Sequence, residues 1–321
     1  MRRNQEARHG QWAGEIHTVI SGTEKSLADC FGSDLQELVS GLGGEIASAQ
    51  EITRLTSPRQ RKAAFKLTFS DGRLFKARLS TSEEKRRRVT SVSALLGGLP
   101  LARIVAAQGR TTIEEWIAGV PLHEAEVTQE QVHQAGSLLG LIHTRTTVPA
   151  ELRVDIPDVA WHMEKITSHL DTIATGYAGV KSGLCENILE IARQNQPATF
   201  ESGLIHADFC ASNMVLTGGG DIVLIDNEDL RVGALDYDLA RCWCRWPMTE
   251  YQRQAFCEGY QQHRSLDSFM ESSQFWVARA LVLSMNVHLK HGRAAPALAE
   301  ALHRLAEGEG VQIWPCLPVG Q

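Results

Sequence analysis

The stretch GLIHADFCASNMVLTGGGDIVLIDNED, residues 203–229, sets His206, Asp208 and Asn213 ahead of one short apolar run and Asp226 at the end of another. "NMVL" and "DIVLID" have the length and aliphatic content of strands, and Thr217-Gly218-Gly219-Gly220 between them is a turn. A tight hairpin of this kind gathers the histidine, the two aspartates and the asparagine at one edge. Acidic groups and an amide oxygen held together suit a hard divalent cation bound through oxygen, as Mg²⁺ prefers. The carboxylate left over can orient a hydroxyl.

Composition narrows the setting. The chain has 321 residues and a formal net charge of −6. That length fits two domains or one two-lobed unit, and the charge excludes a nucleic-acid footprint over the whole chain. Cys30, Cys185, Cys210, Cys242, Cys244, Cys257 and Cys316 are scattered without CxxC pairs, as in reduced cytosolic proteins rather than zinc sites or disulfide frameworks. The charged start MRRNQEARHGQW has no apolar run behind it, and no uncharged run reaches the ~18 residues of a membrane span. These features predict a cytoplasmic protein that binds neither membrane nor nucleic acid.

Along the chain, Ser33 or Asp34 is predicted to cap a short helix that Gly41 stops. From residue 47, "ASAQEITRL", "AAFKLTF" and "LFKARLS" read as strands, the last two joined at Asp71-Gly72, a strong hairpin signal. A helix is predicted from about Ser82 to Gly97, and "TTIEEWIAGVPL" breaks regular structure at Gly119-Val120-Pro121. Mostly helical sequence follows. The predicted organisation is an extension over residues 1–45, a smaller lobe over 46–118 and a larger lobe over 119–321.

"HADFCASN" followed by "LIDNED" resembles the catalytic core of the protein-kinase-like fold, most closely the aminoglycoside phosphotransferase and choline kinase family. The resemblance implies an α+β, two-lobed fold, with an antiparallel sheet and one helix in the N-terminal lobe and a mainly helical C-terminal lobe. It implies ATP or GTP as phosphate donor and Mg²⁺ as cofactor. In it, Asp208 is the catalytic base, His206 braces the catalytic loop, and Asn213 with Asp226 holds the metal. "IEEWIAGVPL" resembles the family's hinge, which puts backbone groups of Glu115, Trp116 and Ile117 against adenine.

The hairpin at Asp71-Gly72 bears on the phosphate-binding lysine. With a two-residue loop, Phe69 faces Leu74, Leu67 faces Lys76 and Phe65 faces Arg78. Lys76 then lies within an apolar face, which is costly unless an anion meets it. Lys76 is therefore favoured to contact phosphate, with Arg78 as competitor. The resemblance also calls for a glutamate from the next helix, where Glu83 and Glu84 are available and Glu84 lies nearer the apolar side. Ser57 in "LTSPRQRK" is expected to help cover phosphate. Asp238, in "DYDLARCWCRW", either caps its helix or ties it to the catalytic loop. Cys242 and Cys244 do not share a helix face, so they are not expected to bind metal.

Ala207 stands where protein kinases carry an arginine, and only a few residues part Asp226 from Asp236. No activation segment fits, so a small acceptor is expected. Glu228, Asp229, Glu250 and Glu164 suggest a cationic acceptor such as an amine-bearing antibiotic, although Arg231, Arg241, Arg245 and Arg253 can neutralise them. The alternatives are a metabolic kinase of the choline or homoserine type and a nucleotide-binding pseudokinase.

Overall fold

A computed structural model describes residues 27–53, 63–145, 148–149, 156–177, 183–246 and 248–308. They form two compact units. One takes the described residues up to Thr90 with Ala102–Trp116; the other takes Ser91–Leu101 with those from Ile117 onward.

The first unit opens with α1 (Leu27–Phe31) and α2 (Ser33–Gly41), followed by β1 (Ile46–Glu51), β2 (Ala63–Phe69) and β3 (Leu74–Leu79). Helix α3 (Glu83–Leu95) leads to β4 (Ile104–Gln108) and β5 (Thr111–Glu115). The strands make one antiparallel sheet in the order β1-β2-β3-β5-β4. Phe65, Leu67, Phe69, Phe75, Ala77 and Ile113 share a core with Leu27, Phe31, Leu35 and Leu38. Phe31 meets Phe65 edge-on at 5.7 Å between centroids. Burying each of these large side chains stabilises the unit by roughly 1.5–3 kcal/mol. From Leu27 onward, the predicted extension is thus part of the sheet's core. Neither Ser33 nor Asp34 caps α2: the N-cap is Gly32, without a side-chain bond.

The β2–β3 turn corrects the two-residue loop. Phe69 N–H donates to Arg73 O at 2.8 Å and Gly72 N–H to Phe69 O at 2.9 Å. Gly72 takes φ 86°, the left-handed residue that closes a three-residue loop. Asp71 accepts from the Arg73 N–H and Nε at 3.0 and 2.7 Å, which fixes the turn. The extra residue moves the register by one, so Lys76 faces Lys66 and Phe75 faces Leu67. A one-residue slip turns every side chain to the other face. Lys76 and Arg78 accordingly lie opposite the apolar face, not within it.

The second unit carries β6 (Val120–Pro121), α4 (Gln129–His143), α5 (Val159–Gly176), α6 (Leu184–Gln194), β7 (Ser202–Ile205), β8 (Met214–Leu216), β9 (Ile222–Leu224) and β10 (Arg231–Ala234). Helices α7 (Leu235–Arg245), α8 (Glu250–Gln261), α9 (Asp267–Lys290) and α10 (Pro296–Ala306) complete it. The end of α3 belongs here because Val92, and Leu96 just past the helix, are buried in this unit's core. Capping boxes start α4 at Thr128 and α8 at Thr249. These two helices cross at Gly136 and Gly259, where an added Cβ would come within 2.0 Å of Phe256 O and His133 O respectively. β7 pairs with β10, and β6, β8 and β9 form a second small sheet. No helix among the described residues is long and apolar enough to cross a membrane.

Helix α5 buries His162 among Trp161, Phe200, Tyr237 and Trp276. Burial, helped by the charges of Arg279 and Arg231, pushes its pKa down to about 4. Between pH 6.5 and 4 the unfolded chain therefore binds a proton that the folded chain refuses, so stability present at neutral pH is lost as pH falls. His169, also lowered to about 4 by burial, adds to the same trend. The melting temperature is expected to drop across this window, and to drop less steeply in His162→Gln. Equal slopes for parent and variant would show that His162 does not carry the effect.

Candidate catalytic site

In the second unit the loop over residues 206–213 hangs from β7 and is fixed by one buried carboxylate. Asp238, fully buried on α7, accepts from His206 N–H at 2.8 Å and from Ala207 N–H at 2.7 Å. Of the two roles read for it, the structure shows the tie to this loop. His143 Nε2 lies 3.2 Å from Asp238 Oδ2, and its Nδ1 lies 2.9 Å from the Tyr260 hydroxyl. Burial works to raise the Asp238 pKa, but the His143 hydrogen bond and the backbone donors hold it below the ordinary carboxylate value. This anchoring holds Ala207 at φ 62°, a strained position for a residue with a Cβ.

His206 has no solvent exposure, and burial drives its pKa down. Its Nε2 sits 3.3 Å from Asn227 Oδ1, so the neutral ring bridges the loop to the segment after Asp226. Asn213 Nδ2 donates both to Asp208 O at 2.8 Å and to Asp208 Oδ2 at 2.9 Å. With the amide nitrogen spent on Asp208, Oδ1 is the face Asn213 can offer a cation. Met214 pairs with Leu224 across the β8–β9 hairpin, and Ile225 N–H donates to Asn213 O at 2.8 Å. That pairing brings Asp226, at φ 61°, to the same end of the hairpin as Asn213.

One carboxylate and one amide oxygen fit Mg²⁺, which binds through one or two carboxylates and completes its shell with phosphates and water. Among the described residues no group of three or more His, Cys, Asp or Glu is placed to hold a metal. Cys242 and Cys244 are buried thiols whose pKa values burial pushes up, that of Cys244 to about 12.

The charged side chains that reach Asp208 among the described residues were not assigned to it by the sequence. Arg241 donates from Nη2 to Asp208 Oδ1 at 3.2 Å and from Nε to Ala207 O at 3.2 Å. Arg245, one turn further along α7, contacts the same carboxylate. The signal was available in the i, i+4 spacing of two arginines just after "DYDLA". By contrast, Glu250 is exposed in the first turn of α8, and Glu164 is exposed beside Lys165 at 3.6 Å. Glu228 and Asp229 lie half-buried in the turn after Asp226.

In the first unit, Lys76 and Arg78 both reach Glu114, at 3.9 Å and 3.4 Å. Glu114 is only 5 % exposed and stands directly opposite Lys76 across β3 and β5. It corrects the expectation for Glu84, which is exposed on α3, while Glu83 pairs with Arg86 and Arg87. A glutamate inside a buried strand run was the missed signal, since such a charge needs a partner. Lys66 points its ammonium over the Trp116 ring at 4.6 Å, which eases the repulsion of two lysines in register. Glu115 binds Arg103, which holds its carboxyl below the ordinary value. Ser57 lies outside the described residues.

Residues 72–270 match the model of the phosphotransferase enzyme family (APH). A homoserine kinase of Neisseria meningitidis serogroup B is 25% identical over 294 residues, which cover 83% of this chain and 90% of that protein. A spectinomycin phosphotransferase, solved in complex with ADP and its antibiotic, aligns with a TM-score of 0.62 at 16% identity, over 86% of this chain and 96% of its own. A choline kinase from Streptococcus pneumoniae aligns at 0.59 and 13% identity, over 86% of this chain and 96% of its own. At these identities the solved structures share the fold.

Proposed function

This chain belongs to the phosphotransferase enzyme family, and we propose that it transfers the γ-phosphoryl group of ATP or GTP to a hydroxyl of a small metabolic alcohol. The observation that carries this reading is the double hydrogen bond from Asn213 Nδ2 to Asp208. It holds a carboxylate that could orient a hydroxyl and leaves the amide oxygen as the group that a cation could meet. Phosphoryl transfer asks little covalent chemistry of a protein, so positioning and charge neutralisation supply most of the rate.

In this proposal Asp208 aligns the acceptor hydroxyl and takes its proton late. Asn213 and Asp226 hold Mg²⁺, which when bound neutralises phosphate oxygens. Lys76 and Arg78, positioned by Glu114, bind the donor phosphates. Along Glu115–Ile117 the Glu115 and Trp116 N–H groups are spent on Arg103 O and Leu74 O, so the Ile117 N–H is the donor for a purine. The cysteines among the described residues form no disulfide, which supports a cytoplasmic setting.

Two guanidinium groups at Asp208 support a metabolic alcohol of low net positive charge, of the homoserine type, over a polycationic antibiotic, because each further ammonium group brought there would meet like charge. ATP and GTP incubated with metabolic alcohols, amino alcohols and aminoglycosides, with phosphate located by mass spectrometry, test the reading. Turnover of a metabolic alcohol is expected. Preferential antibiotic turnover would favour the alternative, and nucleotide binding without any turnover would make the chain a pseudokinase.

The corrected hairpin bears on the phosphate contact. Lys76 and Arg78 share a face and a carboxylate, so both Lys76→Ala and Arg78→Ala are expected to raise KM for ATP, Lys76→Ala the more. Wild-type KM in Lys76→Ala with a dead Arg78→Ala would hand the role to Arg78.

A further inference from the structure

The aromatic enclosure around α5 and α9 holds polar groups without partners. Arg279 is 4 % exposed, yet its Nε and Nη1 have no hydrogen-bond partner among the described residues. Its guanidinium is stacked against Trp161, at 5.5 Å, and Tyr237, at 5.2 Å. Beside it, His162 is 4 % exposed with neither ring nitrogen bonded, and the indole Nε1 of Trp276, 5.0 Å from His162 between centroids, is also unpartnered. A buried cation is ordinarily paired, and buried donors are ordinarily satisfied. Three such side chains in one enclosure are what a missing ligand leaves behind.

The enclosure adjoins the catalytic loop. Tyr237 lies one turn before Arg241 on α7, and Arg241 is bonded to Asp208. Arg279 is also within electrostatic reach of Arg241 and Arg231, so positive charge accumulates here, met among the described residues by Asp158 near His162 and by Asp208 at Arg241. Trp161, at 37 % exposed, brings the enclosure to the surface.

We propose that Arg279, His162 and Trp276 form a carboxylate subsite next to Asp208, and that the acceptor is a hydroxy amino acid whose carboxylate binds there while its hydroxyl reaches Asp208. The unpartnered groups are mainly donors: the Arg279 Nε–H and Nη1–H, the indole N–H, and one N–H of a His162 that is neutral at pH 7. A carboxylate accepts several such bonds and takes a guanidinium in a bidentate grip. This inference rests on the kinase reading for its hydroxyl but not for its anion site.

The test compares L-homoserine, L-serine and L-threonine with their decarboxylated counterparts 3-aminopropan-1-ol, ethanolamine and 1-aminopropan-2-ol. At least one hydroxy amino acid is expected to exceed its counterpart about 100-fold or more in kcat/KM, as when a site's buried polar groups are left unpaired by an analogue. Arg279→Met is expected to collapse that ratio through KM, with partial recovery in Arg279→Lys. Because it removes a buried cation lacking a hydrogen-bonded partner, Arg279→Met should melt no lower than the parent. Preference for the decarboxylated alcohols, or an Arg279→Met that melts lower and keeps the parent's ratio, would overturn the subsite and leave Arg279 a structural cation–π residue. Calorimetry of the same six compounds without nucleotide separates the two readings. Binding of a hydroxy amino acid that is lost in Arg279→Met, with no phosphate transferred, supports the subsite while the kinase reading falls. Absence of binding and of turnover with all three hydroxy amino acids overturns the subsite.

Discussion

Asp208→Asn is expected to lower turnover by roughly 10²- to 10⁴-fold, the range for loss of a general base, while Mg²⁺-nucleotide affinity stays near that of the parent. Asp208 is bound by Asn213, Arg241 and Arg245, and the metal ligands proposed are Asn213 and Asp226. The asparagine keeps an oxygen for the Asn213 amide but cannot accept the acceptor's proton. Arg241 retains its bond to Ala207 O, so the loop should hold its shape and melting should shift little. Steady-state kcat together with calorimetric Kd for Mg²⁺-ATP checks the split. If kcat fell less than tenfold, Asp208 would be a loop residue rather than the base. If Kd rose as much as kcat fell, it would belong to the metal site.

The grouping of the larger unit's candidate residues was legible because its information is local. His206, Asp208, Asn213 and Asp226 fall within 21 residues, and the short strands between them pair as β8 and β9. Hairpin pairing of neighbouring strands follows from turn chemistry and strand length. The α+β class and the helical second half were legible for similar reasons, since periodicity and caps such as Thr128 and Thr249 act within a few residues.

Where the reading went astray, one residue of register or one long-range contact decided the outcome. Asp71-Gly72 announced a hairpin correctly, but Ser70 joined the loop and reversed the face of Lys76. Glu114 reaches Lys76 only through the β3–β5 pairing, 38 positions along the chain, and no local pattern encodes that. Glu164 and Glu250 were read as acceptor-binding acids from their place along the chain, and both are exposed on their helices, where charge is tolerated without a partner. Arg279 was passed over for the converse reason: a run such as "WVARALVL" shows an arginine on a helix but not that the helix is buried on nearly every side.

Removing the second carboxylate should act on binding instead of on turnover. Asp226 occupies the left-handed region, with φ 61° and ψ 47°, where aspartate and asparagine are tolerated better than alanine. Asp226→Asn therefore removes the charge at little conformational cost, whereas Asp226→Ala adds roughly 1–2 kcal/mol of backbone strain. Loss of an outer-shell partner already costs about 10- to 100-fold in metal affinity, so a direct ligand should cost at least that. Both variants are expected to weaken Mg²⁺-ATP by this factor and to leave the affinity for metal-free ATP unchanged or raised. Asp226→Ala alone should also melt several degrees lower. Titrating ATP with and without Mg²⁺ into the parent and both variants measures the difference directly. Parent-like Mg²⁺-ATP affinity in Asp226→Asn would take this aspartate out of the metal site, and a loss confined to Asp226→Ala would trace the effect to the strained backbone.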